Sequence, residues 1–136
     1  MEMPEKCERV DLFARRYPLI FAKADLPWGL ECGVGWDVLL ASMFDQIEPV
    51  LAVAPKSKFR PLQIKEKFGA LRFYYEAKGL DKASLAKISA AVDEAETASN
   101  RTCEVCGQPG KTRRTNWIRT LCNSCEERIA IKDIGE

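Results

Sequence analysis

The chain has 136 residues, 46% hydrophobic and 30% charged, a globular composition with enough length for one modest core, which excludes a disordered or collagen-like chain. Lys and Arg number 21 against 20 Asp and Glu, a formal charge of +1, so a surface that is basic all over is not expected. Histidine is absent, which removes Ser-His-Asp and Cys-His catalysis, His-ligated metals and His-based pH switching.

Residues 1–8 are polar and of mixed charge, unlike the basic start and apolar run of a signal peptide. The longest apolar stretches, such as Val38–Ala41, fall far short of the ~20 residues of a membrane span. The expectation is a cytoplasmic protein with no membrane partner, in which six cysteines do not build a disulfide framework.

In chain order, residues 5–17 predict a helix, with Val10, Phe13 and Tyr17 at three- and four-residue steps and Pro18 ending it. Residues 26–36 hold one Pro, three Gly and two Trp, a loop expected to pack down or form a site. Trp36, Leu39, Leu40, Met43, Phe44 and Ile47 draw an apolar helical stripe that Glu48-Pro49 is expected to end. Residues 62–76 switch to a period of two and predict a β-hairpin turning near Gly69, with Ile64, Leu71, Phe73 and Tyr75 inward and Lys65, Lys67 and Arg72 outward. Asp81 is the expected N-cap of a helix running to Ser99, with Leu85, Ile88, Val92 and Ala95 on one face. Charge is segregated: residues 31–50 hold four acids and no base, residues 51–80 seven bases and two acids.

The sharpest signal follows. Cys103-x₂-Cys106, fifteen residues, then Cys122-x₂-Cys125 is the spacing of a four-cysteine zinc site. Two cysteines three apart across a tight turn place both sulfurs ~2.3 Å from one ion, and a second such turn completes a tetrahedron. A redox motif would occur once, after a strand of a βαβ unit, which this pattern lacks. Gln108-Pro109-Gly110 reads as a turn, Lys111–Thr115 as a basic loop and Trp117–Leu121 as a strand entering the second cysteine pair. One structural Zn²⁺ is expected, with an iron centre the minor alternative for four thiolates. Cys7 and Cys32 are expected to be small buried hydrophobes.

The predicted architecture is α+β: helices packed on a β-hairpin or small antiparallel sheet over residues 1–100, with a four-cysteine zinc ribbon over residues 101–136 appended to it. Three motif blocks, Pro27–Trp36, Ile64–Tyr74 and Cys103–Cys125, together resemble a family of small proteins encoded by bacteriophages and prophages. The resemblance covers roughly residues 25–126 and implies a mobile-element origin and a bacterial host cell, without an activity. By analogy with other small phage proteins it points to host machinery, including defence systems such as CRISPR, as a target.

Three functions compete on these residues. The first is a macromolecular binding module with a protein partner, favoured by the near-neutral charge, with Trp28 and Trp117 as anchors and Trp36 assigned to core packing. The second is nucleic-acid binding through the hairpin bases Lys56, Lys58, Arg60, Lys65, Lys67 and Arg72 with interleaved Phe73 and Tyr74, and through Lys111, Arg113 and Arg114. Against it stands the use of strand lysines to protect a sheet edge. The third is an enzyme built on Glu31, Asp37 and Glu66, with Lys65 or Arg72, around the Gly/Trp loop, though no spacing nominates a reaction.

Overall fold

The structure is a computed structural model that describes residues 6–134, and the side chains of residues 8–130. Helix α1 (Lys6–Arg16) stops before Pro18, and Pro18 opens a four-residue helix, α2 (Pro18–Phe21), because its missing N–H costs nothing in a first turn. The N–H groups of Leu19 and Ile20 donate to the Glu48 carboxylate, each at 3.0 Å. The Gly/Trp loop then yields a two-residue strand, β1 (Leu30–Glu31), and a 3₁₀ turn over Val34–Trp36. β1 is too short to show a period in sequence.

Helix α3 (Asp37–Ala52) runs through Pro49 instead of ending there. A mid-helix proline forfeits a backbone bond and costs about 3 kcal/mol. Val50 and Leu51, both buried, return about 1.5–3 kcal/mol each, so burial carries the helix past the break.

The expected hairpin is present and longer than its alternation suggested: β2 (Lys58–Lys67) and β3 (Ala70–Lys78) pair antiparallel. Pro61 obscured the extension; it sits where the register shifts by one residue before Gln63, a bulge that tolerates proline. Phe68 (φ 55°) and Gly69 (φ 83°) both have positive φ, the backbone that a two-residue hairpin turn requires. β1 adds to the sheet in parallel, Leu30 against Ile64 and Glu31 against Lys65, giving the order β1-β2-β3.

The strand faces are as expected. Ile64, Leu71 and Phe73 are buried and Tyr75 half-buried, whereas Lys65 and Arg72 are half-buried and Lys67 exposed. Helix α4 (Lys82–Ser99) begins at Asp81, whose carboxylate accepts the Ser84 N–H at 2.7 Å. Its buried stripe is Ile88, Ala91, Val92, Ala95 and Ser99, while Leu85 is 40% exposed and falls outside it. α4 also satisfies part of the β3 edge: the Leu71 N–H donates to Ser99 Oγ at 2.8 Å and the Phe73 N–H to Glu96 at 3.2 Å.

Beyond α4, β4 (Lys111–Arg113) pairs antiparallel with β5 (Arg119–Leu121). The expected basic loop is therefore partly strand, and the strand expected from Trp117 starts only at Arg119. Helix α5 (Asn123–Ile134), unanticipated in the sequence, follows directly.

Phe44 is the hub of the main core. Its ring lies 5.2 Å from those of Phe13 and Phe21, 5.3 Å from Tyr17 and 6.1 Å from Phe73, so one residue of α3 joins α1, α2 and β3. Phe44→Ala is expected to cost about 3–5 kcal/mol in urea unfolding. Val38→Ala, at an exposed position of the same helix, should change stability by no more than ~0.5 kcal/mol.

Candidate metal centre

Cys103 and Cys106 lie on the turn after α4, Cys122 follows β5, and Cys125 stands in the first turn of α5. These elements bring all four Sγ atoms within 4.8 Å of one another, with Cys106 Sγ 3.6 Å from Cys122 Sγ. A tetrahedron of thiolates at ~2.3 Å from an ion has edges of about 3.8 Å, so the cluster fits one metal ion. Among the described residues no disulfide forms; Cys32 is buried, as expected, and the Cys7 side chain lies outside the described residues.

The surroundings favour thiolate unevenly. Burial raises the Cys103 thiol, but the backbone N–H groups of Cys122, Cys106 and Val105 outweigh it and hold the thiol at about 6. Cys125 is pushed up to about 12, first by burial and then by the neighbouring Cys122 thiol, against the pull of Arg128. The Arg128 guanidinium donates to Cys125 Sγ at 2.9 Å, and the Cys125 N–H donates to Cys122 Sγ at 3.4 Å. One thiol ionises readily beside others that resist; a bound cation supplies the charge that lets the set ionise together.

The cysteine knuckle has its own small core of Cys103, Leu121 and Cys125, yet it is sewn to the larger one. The Gly35 N–H donates to the Glu104 carbonyl at 2.8 Å and the Gly33 N–H to the Glu104 carboxylate at 2.9 Å. Trp36, fully buried, donates Nε1–H to the Thr102 carbonyl at 2.8 Å. On the far side Thr120 donates its hydroxyl to the Gly69 carbonyl at 2.6 Å, tying β5 to the hairpin turn. The approach at Gly35 is so close that a Cβ there would overlap the carbonyls of Cys103 and Glu104.

Two residues that sequence reasoning missed govern this junction. Arg9, only 4% exposed, donates to the Cys32 and Gly33 carbonyls and pairs with Asp37, clamping the loop from the α1 side. Glu104, buried, is held above the ordinary carboxylate value by that burial, with the Gly33 N–H and Arg119 opposing. The Gly33-x-Gly35 pair was the available signal, because paired glycines mark close backbone approach.

The other predicted site residues separate. Arg113 is spent inside the ribbon, donating to the Leu121 carbonyl at 3.0 Å and to Asn123 at 2.7 Å, and pairing with Glu126 at 3.2 Å. Lys111 and Arg114 are exposed. Trp28 is 71% exposed, beside a cavity of about 260 Å³ bordered by Glu31 and Gln63. Trp117 is 64% exposed, with the Arg119 guanidinium stacked 4.5 Å from its ring. An open groove of about 690 Å³ separates Trp117 and Leu121 from Ile129 and Ala130 of α5. Lys65, Lys67 and Arg72 lie on the outer face of the sheet. The carboxylates offered for catalysis do not converge: Glu31 accepts from Gln63, Asp37 pairs with Arg9, and Glu66 accepts the Gly69 N–H.

Gly35→Ala should destabilise the chain by about 2 kcal/mol or more, through lost docking and not through the sulfurs. Metal content measured on the folded variant should stay at the wild-type value, while amide exchange at residues 33–36 and 102–104 accelerates.

Compared with known proteins, the chain matches no family model, no curated protein and no solved structure.

Proposed function

We propose that the four thiolates hold one zinc ion and that the chain is a zinc-stabilised binding module. The observation that carries this reading is the donor set: four sulfurs within 4.8 Å of one another, in two Cys-x₂-Cys pairs, with no oxygen or imidazole among them. Such a set suits zinc, with iron the alternative, and because the protein fills all four positions no site is left for water, so the ion is structural. Zinc binding at sites of this kind is worth about 10–16 kcal/mol, as much as the whole stability of a typical domain. The ion therefore governs whether residues 101–134 fold.

The enzyme reading loses support because Glu31, Asp37 and Glu66 are each engaged by separate neighbours. What the fold leaves free is large and aromatic: Trp28, Phe68 and Trp117 are all more than three-fifths exposed. Exposed aromatics beside cations are the raw material of binding energy. The resemblance to phage-encoded proteins makes a host-cell macromolecule the partner to test, defence components such as CRISPR effectors among them. A protein partner, the class that total charge favours, would seat on Trp117 and the groove beside α5. In a complex that survives nuclease, Trp117→Ala would then cost about 2 kcal/mol or more of affinity.

The metal assignment is tested directly. One zinc per chain should co-purify, and Cys103→Ser with Cys106→Ser should abolish it, as read by elemental analysis. A strong chelator should melt the C-terminal third and leave much of the helical circular dichroism of α1–α4. Acidification should release the metal as the thiolates take up protons. A folded chain free of metal would overturn the assignment.

A further inference from the structure

The outer face of the β2–β3 hairpin breaks a rule of sheet design. From the open end to the turn, its cross-strand pairs are Lys58 with Lys78, Arg60 with Glu76, Gln63 with Tyr74, Lys65 with Arg72, and Lys67 with Ala70. Two of these set like charges directly opposite each other, which destabilises a sheet. Among the described residues, only Arg60 of the six cations has a carboxylate within ion-pair distance, Glu76 at 3.0 Å. Glu31, across from Lys65 on β1, is bonded to Gln63. Edge protection does not account for Lys65, because β2 is the central strand and is paired on both sides at that residue. The main core lies on the other face; on this one Lys58, Lys67, Tyr74 and Lys78 are exposed, Arg60, Lys65 and Arg72 are half-buried, and Ala70 beside the turn is buried. A near-neutral chain thus carries six cations against two carboxylates on one sheet face, an arrangement complementary to an anionic polymer.

We propose that this face binds single-stranded nucleic acid, its phosphates lying along the two rows of cations and its bases stacking on Tyr74 and, at the turn, on Phe68. The proposal rests on the reading of the chain as a binding module and names the ligand of this one face. Tyr74 is 42% exposed in the middle rung, with the cationic Lys65–Arg72 rung on one side and the Arg60–Glu76 ion pair on the other. Phe68 is 66% exposed, and Lys67 Nζ lies 5.7 Å from its ring, so the cationic face continues onto the turn. Phe68 also borders a cleft of about 280 Å³ shared with Asn116 and Trp117, which brings the ribbon's exposed aromatic to the same end. Unpaired bases offer flat faces to such rings; bases stacked inside a duplex do not. The ribbon fixes the turn through Thr120 and Gly69, so the metal would hold the platform in shape without touching the ligand.

The test uses the full metal-loaded chain and fluorescently labelled DNA and RNA single strands of about 12 nucleotides, followed by anisotropy. Five phosphate contacts would give a salt slope near −3.5, so affinity should fall roughly 100-fold between about 50 and 200 mM salt. Arg72→Glu and Lys78→Glu each turn a like-charge pair into an opposite one. Each should weaken binding at least fivefold while the thermal midpoint holds or rises, which separates lost binding from lost folding. Tyr74→Ala should weaken binding about tenfold and leave the salt slope unchanged. Lys87→Glu on α4 makes the same charge change off this face and should bind like wild type.

Failure of both strands to bind, equal competition by duplex, or unchanged binding by Arg72→Glu and Lys78→Glu would overturn the proposal. Metal content is measured on the same samples. Zinc present without strand binding sinks this proposal alone, and strand binding by a folded, zinc-free chain sinks the metal assignment alone.

Discussion

The structure turns on the contact between the Gly33–Trp36 loop and the Cys103–Glu104 knuckle. Three groups of one short loop donate across this junction: the N–H groups of Gly33 and Gly35 to the carboxylate and carbonyl of Glu104, and the indole of Trp36 to the Thr102 carbonyl. Each bond is worth only about 1 kcal/mol net. Their importance is geometric, because the loop leads straight into α3, the helix that carries Phe44. Arg9 braces the loop from one side while the cysteine cluster shapes the knuckle on the other. Whatever fixes the four sulfurs therefore also fixes where α3 begins. A ribbon that looks like an appendage in sequence is a wall of the main core's entry loop.

The same economy explains how the polar residues are used. Buried charges are costly unless paired, and the two buried ones here, with half-buried Arg113, are tied to neighbours: Arg9 to Asp37, Glu104 to Gly33 and Arg119, Arg113 to Glu126 and Leu121. Those residues stabilise the fold and are not free for a ligand. The cations on the outer face of the hairpin differ, since all but Arg60 lack a carboxylate within ion-pair distance among the described residues and two pairs repel across strands. Total charge hides this contrast because the acids of α3 cancel the bases of the hairpin in the sum. Among the described residues no acid of α3 lies within ion-pair distance of a hairpin base.

Burial likewise sorts the tryptophans. Trp36 is fully enclosed, and its single polar atom has a partner, so it stabilises the junction. Trp28 and Trp117 remain in solvent, Trp117 beneath the guanidinium of Arg119. Phe68 joins them because the hairpin turn demands positive φ at a residue with no core to face. Its ring stays two-thirds exposed, with Lys67 Nζ 5.7 Å from its centre.

Local sequence pattern specified the four-cysteine cluster, because Cys-x₂-Cys spacing is a statement about local reach. It also determined the hairpin and its two faces, the Asp81 cap, and the apolar stripe of α3, all of which follow from periods of two or of three to four residues. It did not determine the passage of α3 through Pro49, the extension of β2 through Pro61, the strand β1, or the clamps at Arg9 and Glu104. Each of these rests on contacts between residues far apart in the chain, such as Arg9 with Cys32 and Gly33 with Glu104. Only the tertiary structure decided them, because burial energy and hydrogen bonds gained from distant partners outweigh local propensity, and no window of neighbouring residues contains those partners.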